Sequence, residues 1–110
     1  MTFKKFRWSK VYESSEHELL ELLKTKNIAA SRVAYDEFEE RNDEKYDQDS
    51  QLWCVEGSML ITVEEVTIKL QAGDALVVPS VQKYNVAAGL AGCVVFVSAA
   101  PTNIMQDDAV

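Results

Sequence analysis

The chain has 110 residues, a net charge of −7, and 47% hydrophobic against 26% charged residues, the size and balance of one globular domain able to bury its own core. No run approaches the roughly 20 apolar residues of a membrane span. The basic start MTFKKFRWSK is not followed by the apolar stretch of a secretory signal, so the cytoplasm is the expected compartment.

Residues 3–8 alternate, with Lys4, Lys5 and Arg7 interleaved between Phe3, Phe6 and Trp8, which predicts an edge strand with one charged face. The stretch SSEHELLELLKTKN follows. Ser15 and Glu18 have the spacing of a capping box, and Leu19, Leu20, Leu22 and Leu23 make an apolar stripe. One helix is expected over about 15–26, ending near Asn27 and laying its leucines on one side of a sheet. The sole histidine, His17, falls on its first turn and is read as solvated. From Ile28 the helical period stops. IAASRVAYDEF is a plausible strand, and EERNDEKYDQDS a polar loop or the solvated start of the next strand.

The acidic field is densest between Asp36 and Asp49, where eight carboxylates stand against Arg41 and Lys45. Such a field repels phosphate backbones and anionic lipid, so neither nucleic acid nor a membrane surface is an expected partner. Short β-rich runs then recur at 51–55, 59–63, 66–70, 75–78, 82–86 and 93–98, separated by turn chemistry at Glu56-Gly57, Glu64-Glu65, Ala72-Gly73-Asp74, Pro79-Ser80 and Gly89 to Gly92. Cys54 and Cys93 lie inside apolar runs and are read as buried free thiols. The tail 101–110 is polar and expected to be flexible. One helix ahead of many short strands predicts a mainly β fold, a closed sandwich or barrel, in a single domain spanning 1–110.

The segment Trp53-Cys54-Val55-Glu56-Gly57, followed by LITVEEVTIKLQAGDALVVPS, resembles the small single-domain cupins. Gly73 and Pro79 keep the spacing of the second cupin motif, and Gly57 fits the closing glycine of the first. The resemblance implies a double-stranded β-helix, or jelly-roll, barrel with its motifs over about 44–98. Gly57 and Gly73 are expected where the chain reverses, since glycine accepts positive φ without cost. Pro79 suits a strand end that needs no ladder donor.

In metal-binding cupins two histidines, a glutamate and a third histidine point into the barrel, a donor set suited to transition metals. At those positions this chain has Glu44, Tyr46, Ser50 and Tyr84, and the motif's usual glycine is Val81. Alternation would aim Glu44 and Tyr46 inward together, with Tyr84 facing them from the opposite sheet, in a hydrogen-bonded cluster that includes Ser50. Glu44, Asp47 and Asp49 are oxygen donors, but NDEKYDQDSQL lacks the glycine and terminal glutamate of an EF-hand loop. No metal and no cofactor are therefore expected.

The expected role is a module that binds or senses a small polar molecule in the barrel interior, through Glu44, Tyr46, Ser50 and Tyr84. One alternative is a metal-independent isomerase or epimerase with Glu44 as base and tyrosines as acids. Another is a structural module. A homodimer is expected in either case, with Phe3, Phe6 and Trp8 supplying an apolar edge for a second copy.

Overall fold

The computed structural model describes residues 3–9 and 16–100. The capping position Ser15 and the tail 101–110 lie outside the described residues. Eight elements follow in chain order: β1 (Lys4–Arg7), α1 (Glu16–Thr25), β2 (Ser31–Tyr35), β3 (Glu40–Glu44), β4 (Ser50–Val63), β5 (Val66–Gln71), β6 (Asp74–Val78) and β7 (Tyr84–Ala99).

Helix α1 forms where the leucine stripe predicts it. Leu19 and Leu23 are buried and Leu22 partly so, whereas Leu20 stays 45% exposed. The helix ends because Asn27 takes a left-handed conformation (φ 58°). The Asn27 N–H then reaches the carbonyl of Lys24 and the Ile28 N–H that of Leu23, the paired bonds of a Schellman stop, with Ile28 packed against the same cluster as Leu23. His17 is exposed on this helix.

Two strands organise the whole barrel. The first half of β4 pairs with β6 and with the last residues of β7, while its second half pairs with β5 and with the first residues of β7. One sheet is thus β1-β6-β4-β7-β2 and the other β5-β4-β7-β3, and all pairings are antiparallel. The sequence suggested reversals at Glu56-Gly57 and at Gly89 to Gly92, but the chain runs straight through both. The Gly73 turn does not reverse it either. Strands β5 and then β6 run along β4 in one direction, residues 66–71 opposite 63–58 and 75–78 opposite 53–50, and the reversal is the β4–β5 hairpin at Glu64-Glu65. At Gly57 the ladder slips register. Before it Leu52 and Cys54 face the interior; after it Met59 and Ile61 do. Strand β7 makes the same change of phase, from Tyr84, Val86 and Ala88 to Cys93 and Val95. A bulge adds the residue that flips the alternation. Gly57 and Gly92 both have positive φ (73° and 72°) and abut, so β4 and β7 bend together from one sheet into the other.

Strand β3 also departs from the sequence pattern. ERNDE was read as loop or the start of a strand, yet it pairs with β7 around a bulge between Arg41 and Glu44.

The interior is packed with Leu52, Met59, Ile61, Leu70, Leu76, Val78 and their neighbours. Cys54 and Cys93 are both buried and free, with sulfurs 3.5 Å apart. The hydrogen bond with Cys93 and then burial push the Cys54 thiol far above the ordinary range, so it stays protonated and unreactive. A second cluster lies outside the first sheet, where α1 covers Trp53, Val55, Val94 and Phe96. The Trp53 indole donates to Ser98 Oγ at 2.9 Å. Beside Trp53, Gln51 is fully buried and its side-chain amide has no partner, an arrangement that costs about 1–3 kcal/mol.

The aromatic residues of β1 do not form an open edge. Phe6 meets Trp53 edge-on at 6.3 Å, Trp8 donates to the Cys54 carbonyl at 3.0 Å, and Phe3 turns against Tyr84. Among the described residues no helix is long and apolar enough to cross a membrane.

Candidate functional site at the tyrosine end of the barrel

Because β4 starts at Ser50 in the first sheet and returns to Val63 in the second, both its ends lie at one mouth of the barrel. Strand β3, the start of β7 and the Pro79–Lys83 loop meet there. Two backbone links tie the loop down: Ser80 donates to Asp49 Oδ1 at 2.8 Å and Val81 to the Tyr46 carbonyl at 2.8 Å. Val81 itself is left-handed (φ 55°) and 66% exposed, a conformation that is costly for a β-branched side chain.

Glu44 pairs directly with Tyr84 across the β3–β7 ladder, so the two side chains share the inner face. Tyr46 follows in phase and stacks on Tyr84 with ring centroids 6.0 Å apart and planes 30° from parallel. Phe3 closes the other side of Tyr84, edge-on at 6.2 Å. Tyr84 therefore stands beside Glu44 on the neighbouring strand, not across from it in the opposite sheet. Ser50 departs from expectation too. It is buried, but its hydroxyl donates to the Gln48 carbonyl at 3.0 Å, which spends it locally.

Tyr35 and Arg41 add to the group. Tyr35 is buried at the end of β2, and the Arg41 guanidinium lies 4.5 Å from its ring centroid, a favourable cation–π distance. Arg41 is anchored in turn by Glu39 at 2.7 Å, closing the seam between β2 and β3. The signal was available for Tyr35, which is in phase with Val33 on a half-buried strand. Arg41 stands out in sequence only as one of the few basic residues near the motifs, with Arg32 and Lys83, and nothing there ties it to Tyr35.

Burial sets the protonation of the phenols. It raises Tyr35 to about 12, with Tyr46 and Glu44 adding to the rise and Arg41 opposing it. Burial also raises Tyr84, helped by its hydrogen bond with Tyr46, and raises Tyr46, which that same bond pulls the other way. The Glu44 charge raises all three. At neutral pH these groups are protonated hydrogen-bonding hydroxyls rather than bases.

A pH dependence follows. The folded Tyr35 value lies above the unfolded one, near 10, so its contribution is complete below pH 10 and is lost as pH rises towards 12. The two-unit rise corresponds to about 2–3 kcal/mol. Urea unfolding at rising alkaline pH should show that decline, and Tyr35→Phe should make it shallower while leaving the share of Tyr46 and Tyr84.

Together these elements form a jelly-roll barrel of two antiparallel sheets joined by two shared strands. Comparison with known proteins gives that barrel its class. No family model matches the chain, and no curated protein matches it in sequence. Solved structures do match. A DUF861 family protein from Thermotoga maritima superposes with a TM-score of 0.60 at 17% identity, covering 90% of this chain and all of that one. A cupin superfamily protein from Desulfitobacterium hafniense DCB-2 gives 0.56 at 17% identity over 89% of this chain and 76% of that one. A cupin-2 domain containing protein from Shewanella frigidimarina gives 0.57 at 16% identity over 89% and 80%. The chain has the cupin fold.

Proposed function

We propose that the protein binds a small polar molecule at the tyrosine end of its barrel, and does so without a transition metal. The observation that supports this most is the gathering of Tyr46, Tyr84 and Glu44 at one mouth, with the Tyr35–Arg41 pair farther in and within electrostatic reach of them. Hydroxyl donors, one carboxylate and one cation set in an apolar wall are the makings of a selective small-molecule site. A cation and an anion side by side favour a ligand that carries both a hydroxyl or amide and an acidic group.

The donor set does not suit a transition ion. Phenols whose proton is held by burial are poor ligands, and Ser50 is turned back to its own loop. Among the described residues no three histidine, cysteine, aspartate or glutamate side chains gather into a metal-holding group. The same protonation excludes the phenols as bases at neutral pH.

A thermal-shift screen of small hydroxylated carboxylic acids and sugar acids tests the reading. Melting should rise with at least one of them. The rise should vanish in Tyr46→Ala and Glu44→Gln without a fall in the unliganded melting temperature of Glu44→Gln. No response to any probe, or a response that both variants keep, would overturn it.

A further inference from the structure

The outer face of the second sheet has an unusual registered row. Leu60 lies directly opposite Lys69 on one side and Ala87 on the other, and Ala87 lies opposite Glu40. The row runs across all four strands from a cation, through one large and one small apolar side chain, to an anion. Leu60 is 46% exposed. Two troughs meet at Leu60 and Ala87. One, of about 400 Å³, is bounded by Lys69 and Ser58 and overlooked by Phe38; the other, of about 220 Å³, extends toward Glu40 and Thr62. Beyond the row, the outward positions of β4 and β7 are Ser58, Thr62, Asn85 and Gly89, none of them charged in a chain that is 26% charged. Depletion of charge at the centre of a patch, with aliphatic and aromatic groups exposed, marks protein interfaces. Phe38 is 62% exposed and left-handed (φ 58°), its N–H bound to the Gly89 carbonyl at 3.1 Å. A bulky ring held there against its backbone preference is a feature that folding alone does not require.

We propose that this face is the interface of a homodimer, two copies packing sheet against sheet about a twofold axis that runs along β4 and β7. The order of side chains in the row selects both the occupant and the axis. Such an axis reverses the row, so Lys69 of one copy lies over Glu40 of the other, and Leu60 over the small Ala87. An axis across the strands would set lysine on lysine and glutamate on glutamate. The strand-parallel axis also carries Phe38 from the β3 side of one copy to the β5 side of the other, over the larger trough. Aligned packing of two sheets about 10 Å apart accommodates this geometry. This interface differs from one at the N-terminal strand, whose aromatic residues are used within their own chain.

Sedimentation at micromolar protein and about 0.1 M salt, where the screening length is about 10 Å, tests the proposal. The wild-type chain should be a dimer and Leu60→Asp a monomer, with unchanged circular dichroism. Lys69→Glu and Glu40→Lys should each weaken dimerisation about tenfold or more, because each creates two like-charge contacts. The double exchange K69E/E40K should return it to within about threefold of wild type. In a single chain the two residues are separated by three strand spacings, about 14 Å, so an internal pair cannot account for the rescue. A monomeric wild type would overturn the proposal. So would a dimer indifferent to Leu60→Asp, which would move the contact to another surface such as the β1 edge, or single reversals that the double exchange fails to rescue.

Discussion

Gly57→Ala should destabilise the protein by about 2–5 kcal/mol, a large loss for a single methyl group. Two costs add. The left-handed conformation at φ 73° penalises a Cβ by about 1–2 kcal/mol, and that Cβ would overlap the carbonyl oxygen of Gly92. The obstacle is backbone within a ladder, so relief requires the two long strands to separate at their shared bend, a strain of about 1–3 kcal/mol or more. Gly92→Ala should behave likewise, since its φ is 72° and its Cβ would meet the Tyr35 carbonyl oxygen at 2.6 Å. Gly89→Ala supplies the contrast. Its Cβ would meet the Ser58 hydroxyl, a side chain free to rotate, and the loss should stay below about 1 kcal/mol. Urea unfolding of the three variants decides the matter. Equal midpoints for Gly57→Ala and Gly89→Ala would mean that the bend does not depend on the absence of a side chain.

The second large effect is expected at Arg7. Asp74 is 2% exposed, and its carboxylate accepts from Arg7 Nη1 at 3.0 Å and from the Gln71 N–H at 3.1 Å. Arg7 also donates to the Ala72 and Ser9 carbonyls and lies flat on Gly73. One guanidinium thus fastens β1 to the β5–β6 turn. Arg7→Ala leaves a buried carboxylate with one backbone donor. Losing one partner of a fully buried pair costs about 3–5 kcal/mol. The Arg7 side chain is 29% exposed, so the loss should be nearer 2–4 kcal/mol. Arg7→Lys should recover less than half of it, because an ammonium cannot span carboxylate and carbonyls as the planar fork does. A midpoint for Arg7→Ala within error of wild type would show that solvent replaces the guanidinium.

Much of this fold was legible because its signals are local. The leucine spacing gave the helix, the Gly73 turn and Pro79 fixed the β5–β6–loop segment, and the text around them carried the likeness to cupins. The continuity of β4 and β7 was not legible. Glu56-Gly57 and Gly89 to Gly92 have the composition of turns, and only long-range pairing distinguishes a bulge within a strand from a reversal between two. Strand β3 was hidden for another reason. ERNDE has almost no intrinsic preference for extended structure, and it becomes a strand because β7 offers it unpaired backbone groups.

The candidate site was read in part. Alternation placed Glu44, Tyr46 and Tyr84 together, as the stacking of Tyr46 on Tyr84 and the Glu44–Tyr84 register show. It misjudged Tyr84 because the bulge in β3 and the bend in β7 change which strands are neighbours. It overvalued Ser50, whose short side chain satisfies itself on a nearby carbonyl before it can reach a ring. Tyr35 ends β2, at the edge of the first sheet, whereas Arg41 lies in β3, at the edge of the second, and their juxtaposition depends on closure of the barrel.

A property of the two shared strands reaches beyond architecture. With β4 and β7 common to both layers, neither layer has a backbone of its own to retain when the other comes apart. Partial melting would have to stop in the middle of a continuous hydrogen-bonded ribbon. The molecule should therefore come undone in one step, and hydrogen exchange along both strands should report a single opening energy from end to end.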